Sequence, residues 1–251
     1  DRYPAFRIPI VLVPASIDNN LPGAELAIGT DTALNNAVWA LDRIKESAAA
    51  SKRCFVAELM GRRCGYLTLM AGIASGAEYA YLNEENTTLA EIDQDAHRMH
   101  QTFENGRRLF LVVVNEEADA HYNREFLANV FEAESGVLYD VRSSALGHLQ
   151  QGGTPTPYDR LLATRLVNAA LNECADQFAD GRAQAVYVGD MGNAIQVRPV
   201  ERMFDDLDFA NRRPFNQWWR DLRPILAAVS VQAPPRELQP VTIIQAEGFG
   251  H

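Results

Sequence analysis

Short apolar runs alternate with helix-like patterns along this chain, and this alternation constrains the fold more than any other feature. Apolar, β-branched runs at residues 8–13, 54–58 and 109–115 are typical of buried strands. Between and after them, residues 32–50 and 158–178 carry apolar side chains at helical spacing. Strands that alternate with helices predict an α/β sandwich with a largely parallel sheet.

The composition excludes two classes of function. The chain has 251 residues, which favours one or two domains. Its longest purely apolar run, residues 109–114, is far shorter than the roughly 20 residues of a membrane span, so we expect no membrane partner. The net charge is −10, and nucleic-acid binding needs clustered Lys and Arg, so we expect no nucleic-acid partner.

The cysteines favour a reducing compartment. Cys54, Cys64 and Cys174 are an odd number without C-x-x-C spacing, so neither a disulfide framework nor a metal site is predicted. Residues 1–7 lack a signal peptide pattern, and we expect a cytoplasmic protein. The first residue is not Met, which we interpret as a fragment or a processed chain.

The last third of the chain is less regular. Residues 185–188 and 194–199 are predicted to form a strand pair around a glycine-containing turn. Pro214 is predicted to begin the last helix, which includes Trp218 and Trp219. Residues 232–251 contain three prolines and no clear pattern, and we interpret them as a loose tail.

Asp18 is the first candidate for chemistry, because it follows the first strand directly. Catalytic groups of α/β sheets collect at the carboxyl ends of strands, and a carboxylate there can deprotonate a hydroxyl that attacks a phosphoryl group. A lone aspartate in such a loop is more often a turn residue, and on this residue alone that alternative is favoured.

Residues 60–65 form a second candidate, because they follow a strand and open a helix. Gly61 permits close approach of the backbone, while Arg62, Arg63 and the free N–H groups of the helix attract an anion. The alternative is a plain strand-to-helix turn whose arginines face water. Spacing alone does not decide between the two.

Residues 145–153 form a third candidate, a glycine-rich loop that contains His148. A lone histidine is more often a structural hydrogen-bonding residue than a catalytic one. Each of the three loops is a weak signal by itself.

Taken in order, the three loops resemble the motifs of the 6-phosphofructokinase family. The family motifs are T-I-D-N-D, M-G-R-x-C-G and G-H-x-Q-R-G-G-S-P with a following D-R. Their counterparts are residues 16–20, 60–65 and 147–155, followed by Asp159 and Arg160. Residues 29–35 are similar to the family's G-x-D-T-A-L-N helix start, and the resemblance runs from about Ile8 to Leu226.

The resemblance implies a sugar phosphate site. Asp18 corresponds to the catalytic base, Arg62 to a residue at the transition state, and Glu116 to a carboxylate that holds sugar hydroxyls. The other substrate-binding positions that it implies are Ser16, Arg53, Met60, Gly61, Arg142, His148 and Gln151. Arg53 and Arg142 correspond to positions that family members contribute across a subunit interface.

The resemblance also implies an effector pocket. Its positions are Lys45, Gly76, Glu78, Arg107 and Arg108. The alternative for Arg107 and Arg108 is a solvated turn.

Two positions depart from the family pattern. Asn20 stands where the family has its second aspartate, and Gln151 stands where it has an arginine. Both changes resemble the second half of eukaryotic tandem phosphofructokinases, where the sugar site became a regulatory site for fructose 2,6-bisphosphate. Asp18 and Arg62, in contrast, resemble the catalytic half, so the chain is intermediate.

The resemblance implies the phosphofructokinase α/β fold, with mostly parallel sheets and with the N-terminal nucleotide-binding part largely absent. Only seventeen residues precede Asp18, and no glycine-rich phosphate loop occurs elsewhere. We expect residues 1–29 and 144–200 to form the rest of the nucleotide-side layer and 30–143 the sugar phosphate layer. C-terminal helices (201–231) and the tail (232–251) complete the division.

The leading interpretation is the C-terminal portion of an ATP-dependent 6-phosphofructokinase, inactive as an isolated chain. ATP and Mg²⁺ are expected for the whole enzyme, with the donor site mostly outside this chain. Expected partners are fructose 6-phosphate or a fructose bisphosphate, and a second copy or a homologous half. A regulatory module that binds fructose 2,6-bisphosphate is the main alternative, and a pyrophosphate-dependent relative is disfavoured.

Overall fold

The computed structural model describes residues 8–47, 51–192 and 194–230. The α-helices are α1 (Thr30–Ser47), α2 (Tyr66–Ser75), α3 (Leu89–Glu104), α4 (Arg124–Ser135), α5 (Pro157–Ala179), α6 (Glu201–Asp206) and α7 (Arg223–Ser230). The strands are β1 (Ile10–Leu12), β2 (Arg53–Leu59), β3 (Tyr79–Tyr81), β4 (Leu109–Asn115), β5 (Asp140–Ala145), β6 (Ala185–Met191), β7 (Ala194–Pro199), β8 (Leu207–Asp208) and β9 (Arg213–Pro214). Short 3₁₀-helices cover Gly147–Gln151 and Trp218–Leu222.

A four-stranded parallel sheet of order β3-β4-β2-β5 forms the centre of the molecule. Leu111 and Val113 of β4 pack against α1 and α2, whereas Val112 and Val114 pack against α3 and α4. Because helices cover both faces, β4 carries an uninterrupted apolar run rather than an alternating one. The α/β fold with a parallel sheet is confirmed.

Helix α2 packs closely on this sheet at Gly72, and its first turn follows the loop at the sheet's carboxyl edge. A methyl group added to Gly72 would lie 2.9 Å from a methyl of Val113, so only glycine permits this approach. Gly65, directly before the helix, donates its N–H to the Glu84 carboxylate.

A second sheet of order β1-β6-β7 lies under α5, where Leu162 and Leu166 pack on Val188. The prediction of a buried strand at residues 8–13 is wrong in length and burial. β1 spans three residues and pairs with β6 on one side, and Ile10 is 47% exposed. An apolar run alone does not distinguish an edge strand from a central one. The predicted strand pair is confirmed, and β6 continues to Met191.

The prediction that Pro214 begins the last helix is wrong. Pro214 lies in β9, which pairs with β8, so residues 201–231 contain a β-hairpin as well as helices. The segment Trp218–Leu222 is a 3₁₀-helix, and α7 starts afresh at Arg223. Pro224 explains the break, because proline lacks an N–H and tolerates only the first turn of a helix.

No helix within the described ranges is long and apolar enough to cross a membrane. The predicted tail, residues 232–251, lies outside the described residues. The division into layers stays a prediction. The four-stranded sheet extends to Ala145, two residues beyond the predicted boundary at 143.

Candidate functional site

The carboxyl ends of β2, β4 and β5 share one edge of the parallel sheet, and the loops that follow them converge there. Residues 60–65 follow β2, Glu116 follows β4, and the 3₁₀-helix Gly147–Gln151 follows β5. This edge is where ligands bind in open α/β sheets.

Gly61 gives the 60–65 loop its shape. Its φ of +132° disfavours any residue with a side chain, and an added methyl group would collide with the Cys64 carbonyl oxygen. The Asn115 side-chain amide donates to the Gly61 carbonyl at 2.6 Å, and the Gly61 N–H donates to Glu116 Oε1 at 3.2 Å. The predicted role of this glycine as a close-approach position has a geometric basis.

The loop around Asp18 is closed by its own side chains. The Asp18 N–H donates to Ser16 Oγ at 3.2 Å. Asn19 is 7% exposed, donates to the Glu25 carbonyl and accepts from the Ala27 N–H. Asn19 also holds a left-handed φ of +55°, a conformation that asparagine tolerates better than most residues. The Asp18 carboxylate is therefore carried on a rigid turn.

Burial raises the pKa of the Asp18 carboxyl, and the nearby charge of Glu116 raises it further. A hydrogen bond from the Arg62 backbone N–H and the charge of its guanidinium lower this pKa in part. Asp18 and Arg62, predicted from separate loops, are thus neighbours. A carboxylate with a raised pKa is a better proton acceptor, which suits a general base.

Glu58 and Arg124 also belong to this edge, and sequence reasoning missed them. The Arg124 guanidinium lies 3.5 Å from the Glu58 carboxylate and donates to Ser143 Oγ at 2.8 Å. Burial raises the pKa of Glu58, the Arg124 charge lowers it, and Glu116 raises it. One available signal was Glu58 itself, a charged residue inside an apolar strand. Another was Arg124, a cation in the first turn of a helix, where the dipole disfavours it.

His148 and Gln151 lie at the same edge and are exposed. The Leu146 N–H donates to the Glu58 carbonyl at 2.9 Å, which anchors the start of their 3₁₀-helix beside β2. Between them Gln150 is buried and donates to the Gly147 carbonyl. The two exposed side chains are free of the core and face the solvent side of the loop.

Arg53 and Arg142 do not join Asp18 within one chain. Arg53 begins β2, so the length of a seven-residue strand, about 20 Å, separates it from the 60–65 loop. Arg142 pairs in register with Phe55 on the edge strand β5 and contacts Asp140 at 3.6 Å. Arg53 and Arg142 share one face of the sheet, because Arg53 and Phe55 are two residues apart. Their placement suits a contribution to another copy's site, which stays a prediction.

Asp159, a counterpart of the family's D-R pair, has a structural role. This carboxylate is 3% exposed and accepts hydrogen bonds from the N–H groups of Gly29 and Thr32, both at 2.8 Å. It also accepts from the Thr32 hydroxyl at 2.5 Å. Asp159 therefore caps the start of α1 from α5 and joins elements that are 130 residues apart in sequence.

Most of the predicted effector positions lie together at the opposite end of the sheet. The Arg107 guanidinium forms an ion pair with the buried Glu78, which also accepts from the Leu111 N–H at 2.6 Å. Lys45 donates to the Ser75 carbonyl at 2.8 Å. Arg107 is thus half-buried in an internal ion pair, and the alternative interpretation that it belongs to a solvated turn is wrong.

Gly76 ends α2 in a left-handed conformation, with φ of +67°. Arg108 is exposed, and its carbonyl accepts from the Arg53 N–H at 2.9 Å. Gly76 and Arg108 thus lie at the rim of the effector cluster, and their binding roles stay predictions.

Glu84 is a further buried group that sequence reasoning missed. Its side chain is fully buried, accepts from the Gly65 N–H and from Gln217 at 2.7 Å, and lies 3.3 Å from Arg213. These partners are about 20 and 130 residues away in sequence, so no local pattern signals the cluster.

The fold and the strand-edge loops define an α/β protein with a carboxylate, glycine and arginine site at the carboxyl edge of a parallel sheet. The family model described as phosphofructokinase matches residues 3–174. The chain belongs to the phosphofructokinase family.

Similar proteins agree with this assignment. The chain is 38% identical over 236 residues to the muscle-type ATP-dependent 6-phosphofructokinase of Equus caballus, with 90% of this chain and 30% of the relative covered. It is 40% identical over 227 residues to the ATP-dependent 6-phosphofructokinase of Dictyostelium discoideum, with 90% and 27% covered.

Solved structures give the same fold. Phosphofructokinase from Saccharomyces cerevisiae superposes with a TM-score of 0.85 at 32% identity, covering 91% of this chain and 33% of that chain. A pyrophosphate-dependent phosphofructokinase from Marinobacter aquaeolei, at 18% identity and a TM-score of 0.59, shares the fold alone. This chain spans about 30% of the length of the curated relatives that it matches.

Proposed function

We propose that this chain is the sugar phosphate-binding, C-terminal portion of a cytoplasmic ATP-dependent 6-phosphofructokinase. The whole enzyme would convert ATP and fructose 6-phosphate to ADP and fructose 1,6-bisphosphate. One observation carries the proposal: the Asp18 carboxylate, with its raised pKa, adjoins Arg62 at the sheet edge beside Glu116. The similar proteins of Equus caballus and Dictyostelium discoideum, which are ATP-dependent 6-phosphofructokinases, support it.

Each group has a role that its chemistry permits. Asp18 accepts the proton of the attacking sugar hydroxyl, and the Arg62 guanidinium stabilises negative charge on the transferred phosphoryl group. Glu116 uses one oxygen for the Gly61 N–H, and its other oxygen can accept from a sugar hydroxyl. His148 contributes to the binding of the phosphate dianion through a ring N–H donor.

In this proposal the donor site lies mostly outside this chain, so ATP and Mg²⁺ belong to the whole enzyme. Within the described ranges, no group of three or more His, Cys, Asp or Glu side chains is positioned to hold a metal ion. The sequence has no P-loop. No step within this chain is routed through ATP or Mg²⁺.

A second candidate function is a regulatory site for a fructose bisphosphate. Asn20 favours it, because a neutral amide replaces a carboxylate there and reduces repulsion of an anion. Its side chain accepts from Ser16 Oγ at 3.1 Å and donates to the Arg212 carbonyl at 3.4 Å, so it is held in place without charge. Gln151 removes one cation, which leaves Arg62, Arg142 and His148 among the candidate phosphate-binding groups.

Calorimetry tests the proposal. We expect the chain to bind fructose 6-phosphate, and a fructose bisphosphate at least as well, while glucose 6-phosphate serves as a control of equal charge. Asp18→Asn then separates the two functions in the whole enzyme. It abolishes turnover if the site is catalytic and leaves turnover unchanged if the site is regulatory. Absence of binding to every fructose phosphate would overturn both candidates.

A further inference from the structure

The segment 210–218 contacts two loops of the candidate site, the loop around Asp18 and the 60–65 loop. It follows β8 and contains β9 and the start of the last 3₁₀-helix. The hydrogen bonds that join it to these loops include Asn20 to the Arg212 carbonyl at 3.4 Å, Arg63 to the Ala210 carbonyl at 2.8 Å, and Trp218 to the Glu25 carbonyl at 3.1 Å.

Arg213 makes the most complete of the segment's contacts. Its guanidinium donates to the Arg63 carbonyl at 2.9 Å and to Asn83 Oδ1 at 2.8 Å, and it lies 3.3 Å from the Glu84 carboxylate. The Arg213 side chain is 15% exposed and that of Glu84 is fully buried, so water scarcely competes with this pair. One cation therefore connects a buried carboxylate with the backbone of the 60–65 loop.

The backbone that Arg213 contacts is strained. Among the described residues other than glycine, those with positive φ are Asn19, Arg63 and Arg212, each near +55°. All three lie in segments that these contacts join. A left-handed conformation costs an arginine about 1 kcal/mol or more, so it persists only where the surroundings hold it.

Three carbonyl groups of the loop, those of Gly61, Arg63 and Cys64, accept hydrogen bonds from side chains. Asn115 donates to the carbonyls of Gly61 and Cys64, at 2.6 and 3.3 Å, and Arg213 donates to that of Arg63. With these carbonyls held, the N–H groups of Gly61 and Arg62 are directed toward the site, where they meet Glu116 and Asp18. A loop that binds an anion needs this orientation, because carbonyl oxygens repel phosphate.

We propose that Arg213 is a positioning residue, which holds Arg63 in its left-handed conformation and so sets the 60–65 loop for a sugar phosphate, with Glu84 as its buried counter-ion. The identity of the ligand as a sugar phosphate rests on the proposed function, whereas the role of Arg213 in the loop conformation does not depend on it. Asn115 holds the loop from the sheet, and Arg213 holds it from the opposite side.

The test uses a double variant, Arg213→Met with Glu84→Gln. Removal of Arg213 alone leaves an unpaired buried carboxylate and risks unfolding, whereas the glutamine keeps an acceptor for the Gly65 N–H. We expect calorimetry to give at least tenfold weaker binding of fructose 1,6-bisphosphate. Arg202→Met is the matched control, because Arg202 lies in the same part of the chain, its side chain is 70% exposed, and its guanidinium pairs with Asp205 at 3.5 Å. It should leave binding unchanged.

A third substitution distinguishes positioning from general stability. Arg63→Gly removes the strain at φ near +55°, since glycine adopts this conformation freely. Added to the double variant, it should restore binding to within about threefold of Arg63→Gly alone. A merely structural role for Arg213 predicts no such rescue.

Hydrogen exchange provides a readout without ligand. The Cys64 N–H closes the turn across Arg63 by donating to the Gly61 carbonyl at 3.4 Å, and it belongs to the peptide unit whose carbonyl accepts from Arg213. We expect it to exchange at least tenfold faster in the double variant, while the Val113 amide in β4 is unchanged. If the wild-type chain binds no fructose phosphate, the proposed function fails and the exchange result still decides the positioning role. Unchanged Cys64 exchange, or binding that persists in a folded double variant, would overturn the inference.

Discussion

Replacement of Asp159 by alanine should destabilise the whole chain through the start of α1. The carboxylate accepts three hydrogen bonds, from the Gly29 N–H, the Thr32 N–H and the Thr32 hydroxyl, and Asp159 is only 3% exposed. Charge-assisted hydrogen bonds contribute about 1.5–3 kcal/mol each, and loss of an N-cap costs about 1 kcal/mol. These values are not additive, because water reaches the half-buried Thr32 once the carboxylate is gone.

We therefore expect Asp159→Ala to lower the free energy of unfolding by about 3 kcal/mol, which corresponds to a fall in Tm of roughly 6–12 °C for a domain of this size. The loss of stability in Asp159→Asn should lie between zero and that of Asp159→Ala, since the amide oxygen still accepts a hydrogen bond while the amide nitrogen faces a donor. Asp176→Ala, an exposed position on the same helix, is the control and should change stability by less than about 0.5 kcal/mol. Urea and thermal denaturation measure all three. A loss below about 1 kcal/mol for Asp159→Ala would refute the view that this carboxylate joins α1 to α5.

Four further predictions concern the site. Arg142→Ala should weaken fructose phosphate binding by about 2 kcal/mol, roughly thirtyfold, while Asp18→Asn should barely change it, since a base acts in the transition state; calorimetry showing the reverse would contradict these roles. Asp18→Asn should raise Tm at pH 8, and the gain should shrink toward pH 4, because the folded state raises the pKa of this carboxyl and so penalises its charged form at high pH. In a coupled assay the isolated chain should show no turnover of fructose 6-phosphate, and any turnover would disprove the assignment of the donor site to the rest of the enzyme. Sedimentation should detect self-association, and a strict monomer with intact sugar phosphate binding would argue against a shared site.

The sequence was sufficient to predict the parts of the fold that depend on local apolar pattern. The buried strand Leu109–Asn115 is confirmed, because a strand covered on both faces must be apolar at every position. The pattern failed at β1, where Ile10 belongs to an edge with one neighbour. It failed again at Pro214, since a proline starts a helix only where the next residues can continue one. Local composition does not report which strand lies at an edge.

The residues of the candidate site likewise divide into those that the sequence could predict and those that it could not. The convergence of the 60–65 loop, Glu116 and the segment after β5 was predictable, because all three follow parallel strands of one sheet. The proximity of Asp18 and Arg62 was implied only by the family resemblance, since Asp18 follows β1 of the other sheet. The partners of Glu84 were not predictable, since Gln217 approaches it from 133 residues away and only the tertiary fold brings them together. Spacing along the chain thus locates groups that the sheet itself arranges, and it misses groups that distant segments supply.

At this edge the carboxylates of Glu84 and Glu58 are held in ion pairs, whereas Asp18, the proposed base, is opposed mainly by a backbone N–H. Glu84 forms an ion pair with Arg213 and accepts a hydrogen bond from the Gln217 amide, and Glu58 forms an ion pair with Arg124. Asp18 has the Arg62 backbone as its main opposing contact and keeps a raised pKa. If Asp18 were paired as Glu84 is, its pKa would fall and it would be a weaker base. In the proposed function, in which Asp18 is the base, keeping Asp18 apart from the paired carboxylates Glu58 and Glu84 preserves its ability to accept a proton.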